Sequence, residues 1–343
     1  MLQYKKYYMP KSKEELFRLM EHNAHSFDII SGGTDLFAEE RTPFNGQDSA
    51  IDISSIEDFS IIESKCGFIT IGANTRIQQF LEEPELIDTV PVLRHAASYF
   101  ADQQIREIAT VGGNLANASP CADLIPPLLA MDATVHTIRQ NDNDICMSDV
   151  PLSDFIKGVG KTSLSEGEVI QSVTCPILKD YGCAFKKVGL RRSLCISTVN
   201  SAFLVKADET NQYFKDVRIA FGGIGPAPVR LNEIEDNLKG NRISKDMILK
   251  MAECIPGDIV KSRSRREYRK TVIRNFLLAG CNLTYRIQKE TQLEPLELLK
   301  SPYVVGKPLK RAVFRFKELE KMLNFQGEFN TNLKKRKGLK RSF

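Results

Sequence analysis

Apolar positions along this chain change their period several times, and each change predicts an element. Leu16, Phe17, Leu19 and Met20 recur at helical spacing behind Ser12-Lys13-Glu14-Glu15, a capping box that satisfies amides of the first turn. Phe27-Asp28-Ile29-Ile30 and residues 50–53 then read as short strands, so residues 1–60 make a small α/β unit. A second unit, residues 61–175, starts with strands at 61–62 and 68–71 and a helix capped by Thr75-Arg76-Ile77-Gln78. A longer helix is expected over 92–100, where Leu93, Ala96, Ala97 and Phe100 share a face. Asp123 is placed to cap a short helix over 124–131, whose Pro126 and Pro127 fit only a first turn, and a strand over 133–138 continues the sheet. From about Pro176 the strands lengthen (184–190, 197–206, 217–221) and helices follow over 245–254 and 264–285, an α+β pattern for residues 176–286. Residues 287–343 are polar and basic and predict no fold.

Two breaks between apolar stretches carry paired glycines. They are Ile30-Ser31-Gly32-Gly33-Thr34-Asp35-Leu36 and Thr110-Val111-Gly112-Gly113-Asn114-Leu115-Ala116-Asn117-Ala118-Ser119-Pro120. Paired glycines serve plain tight turns, and each corner alone is consistent with one. Small residues, hydroxyls and free amides are also what a phosphate needs from a loop. Two such corners, the second running on through small and amide residues to Asp123, point to a ligand with two phosphates and a long body held from both sides. A dinucleotide fits.

Composition narrows the chemistry. A chain of 343 residues with 42% hydrophobic and 27% charged positions builds two or three ordinary folded domains. The cysteines (66, 121, 146, 175, 183, 195, 254, 281) and histidines (22, 25, 95, 136) show no metal-ligand spacing, so no metal site and no internal iron–sulfur cluster is expected. Redox chemistry here would run on an organic cofactor. No stretch approaches the ~20 apolar residues of a membrane span, and the start lacks a signal-peptide core, so the cytoplasm is the expected location. The net charge of +5 resides in Lys334, Lys335, Arg336, Lys337, Lys340 and Arg341, which leaves the body near neutral and makes nucleic acid an unfavoured partner.

Two motifs are decoys. Gly158-Val159-Gly160-Lys161-Thr162-Ser163 ends like a P-loop, but Phe155 stands where that motif needs glycine. Phe221-Gly222-Gly223-Ile224-Gly225-Pro226 fails the Rossmann pattern at Pro228 and reads as a strand and turn. No hydrolase elbow or zinc-protease motif is present.

The two corners, with Asp123-Leu124-Ile125-Pro126, resemble the FAD-binding (medium) subunit of molybdenum hydroxylases, the family of xanthine dehydrogenase, aldehyde oxidase and carbon monoxide dehydrogenase. Gln104-Ile105-Arg106, Phe185-Lys186-Lys187 with Arg191, Ile196-Ser197 and Arg218-Ile219-Ala220-Phe221-Gly222 extend the likeness over residues 1–286. The resemblance implies an α+β fold: a p-cresol-methylhydroxylase-type FAD-binding domain of two α/β subdomains, followed by a small α+β C-terminal domain. It implies that Gly32, Gly33, Thr34 and Asp35, flanked by Ile30, Ser31 and Leu36, bind the FAD pyrophosphate with Thr110, Gly113, Asn114 and Ser119. It places Asp123 on the ribityl chain, Phe100 beside the isoalloxazine, Ile170 near the adenine, and Lys186 or Lys187, with Lys187 preferred, close to the flavin. From the residues alone, Phe100 is equally a core residue, Asp123 an N-cap, and Lys187 a solvated strand charge. The resemblance further implies a molybdenum-binding large subunit carrying a molybdenum–pterin, a small subunit with [2Fe–2S] clusters, and NAD or another acceptor. No catalytic residue is assigned to this chain. A free-standing FAD-dependent oxidoreductase on the same fold is the alternative.

Overall fold

The computed structural model describes residues 4–23, 26–38, 47–141, 144–191 and 194–291, with side chains as far as Cys281; the basic segment from 292 onward lies outside the described residues. Strands β1 (Lys6–Tyr8), β2 (Phe27–Ile30) and β3 (Ser49–Asp52) form a parallel sheet in the order β1-β3-β2. Parallel strands of one sheet need a crossover, and the Lys13–His22 helix supplies the one from β1 to β2, which flank β3. Ser12 caps that helix, its Oγ accepting from the Glu15 amide at 3.2 Å, while the Glu15 carboxylate takes the Lys11 amide at 2.7 Å instead of closing the box on Ser12. Leu16, Phe17 and Met20 bury against Ile51, Ile56 and Phe59. Each such side chain contributes about 1.5–3 kcal/mol.

The second sheet is antiparallel. It contains β4 (Ile62–Lys65), β5 (Phe68–Gly72), β6 (Thr134–Asn141), β7 (Asp144–Pro151) and, beyond a hairpin of β8 (Ile156–Gly158) and β9 (Lys161–Thr162), β10 (Glu168–Pro176). The order is β4-β5-β10-β6-β7. The sequence pattern predicts neither β7 nor β10. The β7 strand is a polar edge with little apolar signal. β10 is the central strand and is buried on both faces: Val169 enters the core beneath the first sheet, while Ile170, Val173 and Cys175 enter the largest core. A bulge between Ile170 and Ser172 breaks its alternation as well. The Gly158–Lys161 decoy is the β8–β9 turn.

The helices that pack on the largest core include Pro91–Ser98, Val111–Ala116 and Ile125–Ala130. Two expectations shift here. The predicted cap at Thr75 is not one, because the nearby helix is Gln79–Glu82 and the Gln79 side chain satisfies the Arg76 amide at 2.9 Å. The 92–100 helix stops at Ser98, which leaves Phe100 in the following turn.

Strands β11 (Gly182–Gly189), β12 (Ser197–Ala207), β13 (Phe214–Gly222) and β14 (Val229–Arg230) make an antiparallel meander. Its alternation is two-sided. Ala202 and Leu204 face the largest core, and Val199, Phe203 and Val205 face a separate core roofed by the Asn232–Leu238, Lys245–Glu253 and Arg266–Thr291 helices. Asp132, after the Ile125–Ala130 helix, pins this meander by accepting from Arg218 at 2.9 Å and from Arg230.

Candidate functional site

The two Gly-Gly corners meet. They line one cleft of about 720 Å³, together with Phe100, Ser119, Asp123, Lys187 and the Leu194–Ser197 segment. That is ample for a cofactor.

The first corner is the turn that leaves β2. Gly32 sits so close to the next loop that a Cβ would overlap the Ile108 carbonyl, and Gly33 has φ +64° with a missing Cβ 2.6 Å from the Phe37 ring. Both glycines are therefore demanded by the protein itself before any ligand arrives. Ser31 Oγ donates to Asn74 Oδ1 at 2.8 Å, and Asn74 Nδ2 donates to the Ile53 carbonyl at 2.7 Å, so the corner is braced from behind. Among the described residues, the amides of Gly32, Gly33 and Thr34 donate to no acceptor.

The second corner is built differently from expectation. Thr110 caps the Val111–Ala116 helix, its Oγ1 accepting from the Gly113 amide at 3.1 Å. The amides of Val111 and Gly112 go to the carbonyls of Thr75 (3.0 Å) and Ala73 (2.8 Å), and that of Asn114 to Thr110 (3.0 Å). The first-turn amides are spent, so this corner offers a surface rather than free donors. A Cβ on Gly113 would meet only Thr110 Oγ1 at 3.1 Å, so this glycine leaves space in the cleft that a side chain would fill. Asn114 Oδ1 is buried and has no hydrogen-bond partner.

Asp123 is not an N-cap. The Ile125–Ala130 helix starts after Leu124 with no side-chain cap. Instead Asp123 Oδ1 accepts from Ser197 Oγ and Asn200 Nδ2, each at 2.7 Å, and Oδ2 pairs with Lys187 Nζ, which also donates to the Tyr99 carbonyl at 3.1 Å. The pair is deeply buried, with side chains 9% and 3% exposed, so Lys187 is no solvated strand charge. Strand alternation separates the two lysines. Lys187 faces the cleft, whereas burial lowers the pKa of Lys186, which does not line it. Lys186 lies close enough to His95 to disfavour its charge. Burial first, then Arg94 and Lys186, push the His95 pKa down to about 4, which keeps the ring neutral.

Of the remaining expected residues, Ile30, Thr34, Asp35 and Leu36 line the cleft, and Phe100 both lines it and packs on the largest core. Ile170 does not line it. At 5% exposed it lies in the core on β10. Ser197 and Asn200 join the site without a local sequence signal that marks them as site residues, although the Ile196-Ser197 pair carries part of the resemblance. Among the described residues, no cluster of His, Cys, Asp or Glu is arranged to hold a metal ion, and no helix is long and apolar enough to cross a membrane. Unspent amides at 32–34 and the open flank of Gly113 suit a diphosphate-bearing ligand.

Comparison with known proteins agrees with this chemistry. Residues 2–178 match the FAD binding domain in molybdopterin dehydrogenase, and residues 184–282 match the CO dehydrogenase flavoprotein C-terminal domain. The glyceraldehyde dehydrogenase medium chain of Sulfolobus acidocaldarius is 26% identical over 272 residues, covering 78% of this chain and 94% of that one. The xanthine dehydrogenase FAD-binding subunit of Escherichia coli O157:H7 is 27% identical over 281 residues, covering 80% and 93%. In fold, the chain resembles a solved carbon monoxide dehydrogenase from Hydrogenophaga pseudoflava with TM-score 0.74 and 23% identity, over 83% of this chain and 99% of that one.

Proposed function

Because the chain belongs to the family of FAD-binding domains in molybdopterin dehydrogenases, an oxidoreductase family with FAD as cofactor, we propose that it is the electron outlet of a multi-subunit molybdenum hydroxylase. In this reading a large partner subunit oxidises substrate at a molybdenum–pterin, a small partner carries [2Fe–2S] clusters, and electrons leave through this chain to NAD or another acceptor. FAD, when bound, supplies the step between one-electron clusters and a diffusible acceptor. The chain's residues hold and orient it. The amides of Gly32, Gly33 and Thr34 take the pyrophosphate, Gly113 and Asn114 bound its other side, and Lys187 presents a fixed cation at the cleft wall. Asp123 acts first as the anchor of that cation, since both its oxygens already have partners. Phe100 gives an aromatic wall.

The observation that carries the proposal is the convergence of both corners on one cleft, with unsatisfied amide donors at 32–34 on one wall and the side-chain-free flank of Gly113 on the other. Purifying the complex from its native source tests it. Two co-purifying chains, bound molybdenum and iron, and flavin that bleaches on addition of substrate are expected. A chain that purifies alone and turns over without partners would replace this reading with a free-standing flavin enzyme.

A further inference from the structure

Asn200 lies on β12 and is fully buried, and it is not among the residues that line the cleft. Its amide nitrogen nevertheless donates to three acceptors on the segment leading into Asp123: the carbonyls of Cys121 (3.3 Å) and Ala122 (3.1 Å) and Asp123 Oδ1 (2.7 Å). Two protons shared among three oxygens fix the orientation of the amide, because a flipped group would set oxygen against all three. Its own oxygen has no partner and occupies space that exists only because Gly222, on the neighbouring strand, lacks a Cβ. An unsatisfied buried oxygen is costly, and here the contacts of the nitrogen with three acceptors offset it.

Among the described residues, every side chain that hydrogen-bonds the Asp123 carboxylate comes from the C-terminal meander: Lys187 from β11, Ser197 and Asn200 from β12. The Gly223 amide adds a backbone tie to the Pro120 carbonyl at 2.7 Å. The cleft thus receives its Asp123–Lys187 pair already oriented by a sheet that lies outside the FAD-binding match at residues 2–178.

We propose that Asn200 is a positioning residue for the flavin site, acting through Asp123 to hold the buried pair with Lys187 in the geometry that retains FAD. The proposal rests on the reading of this cleft as the FAD site. It separates Asn200 from an ordinary core residue, whose loss would lower stability and leave ligand affinity to follow in proportion.

The test is a double-mutant cycle on FAD affinity, measured by fluorescence titration of the full chain, with thermal melting of each apo variant to confirm folding. Asn200→Ala is expected to weaken FAD binding about tenfold, the loss that follows removal of a hydrogen bond to a charged group. In an Asp123→Ala background the same change is expected to alter affinity by less than about twofold, since nothing remains to be positioned. Asn200→Ser, which is smaller and too short to reach Asp123, serves where the alanine variant does not fold, with the same expected pattern. Equal weakening in both backgrounds, or none in either, overturns the proposal. Unchanged affinity in Asp123→Ala alone overturns the reading of the cleft beneath it, and the proposal with it.

Discussion

Gly113 is the position where ligand and fold make separable demands. Its φ is not in the left-handed region, it lies in the first turn of the Val111–Ala116 helix, and an added Cβ would touch only Thr110 Oγ1 at 3.1 Å. Gly113→Ala therefore gains about 1 kcal/mol of helix propensity, offset in part by that contact, so the apo protein should melt at or slightly above the wild-type temperature. The added carbon occupies the cleft. Overfilling a matched site costs about 1–3 kcal/mol, which is about fivefold to hundredfold in FAD affinity, and Gly113→Leu should lie at or beyond the upper end. The assay is fluorescence titration of the apo chain with FAD beside thermal melting. Gly32→Ala and Gly33→Ala are the controls, because one would overlap the Ile108 carbonyl and the other must hold φ +64°, so both should destabilise the chain with or without ligand. A folded Gly113→Leu protein that binds FAD as tightly as wild type would refute the reasoning.

Other consequences follow from the same structure. Lys187→Met leaves Asp123 charged and buried without its cation, so a loss of about 3–5 kcal/mol in chemical denaturation is expected, largely recovered in Lys187→Met/Asp123→Asn. His95 is held neutral with a pKa near 4, below the ordinary value of 6.5, so it contributes stability above pH 6.5 that is lost as pH falls toward 4. The full effect is about 3 kcal/mol, and His95→Gln should flatten the fall in melting temperature between those two values. Asp132→Asn removes the negative charge and one of the two acceptor oxygens that face Arg218 and Arg230, but Asp132 is half exposed, so the cost should stay below about 1 kcal/mol and shrink at high salt.

Much of the cleft was legible in the sequence because glycine corners are local. The two Gly-Gly segments and Asp123 can be picked out from residue type and order, whereas Lys187 is favoured over Lys186 only through the family resemblance. Other features depend on contacts distant in sequence. The reason Gly32 is glycine is the carbonyl of Ile108, which no local pattern reveals. Asp123 resembled a helix cap because Leu124 to Met131 looked helical, and only the docking of β11 and β12 shows that its oxygens are committed elsewhere. The second corner promised free amides that the carbonyls of Ala73 and Thr75 consume. β10 escaped notice for the opposite reason, since a central strand buried on both faces loses the alternation by which strands are recognised.

In the proposed complex FAD lies between these corners with its pyrophosphate on the first. Hydrogen–deuterium exchange of the full chain, with and without FAD, tests it at the amides concerned. Strong new protection is expected at Gly32, Gly33 and Thr34, whose amides donate to no acceptor among the described residues, and little change at Val111 to Asn114, whose amides are already bonded. Protection by FAD confined to other segments, with 32–34 exchanging as fast as before, would contradict it.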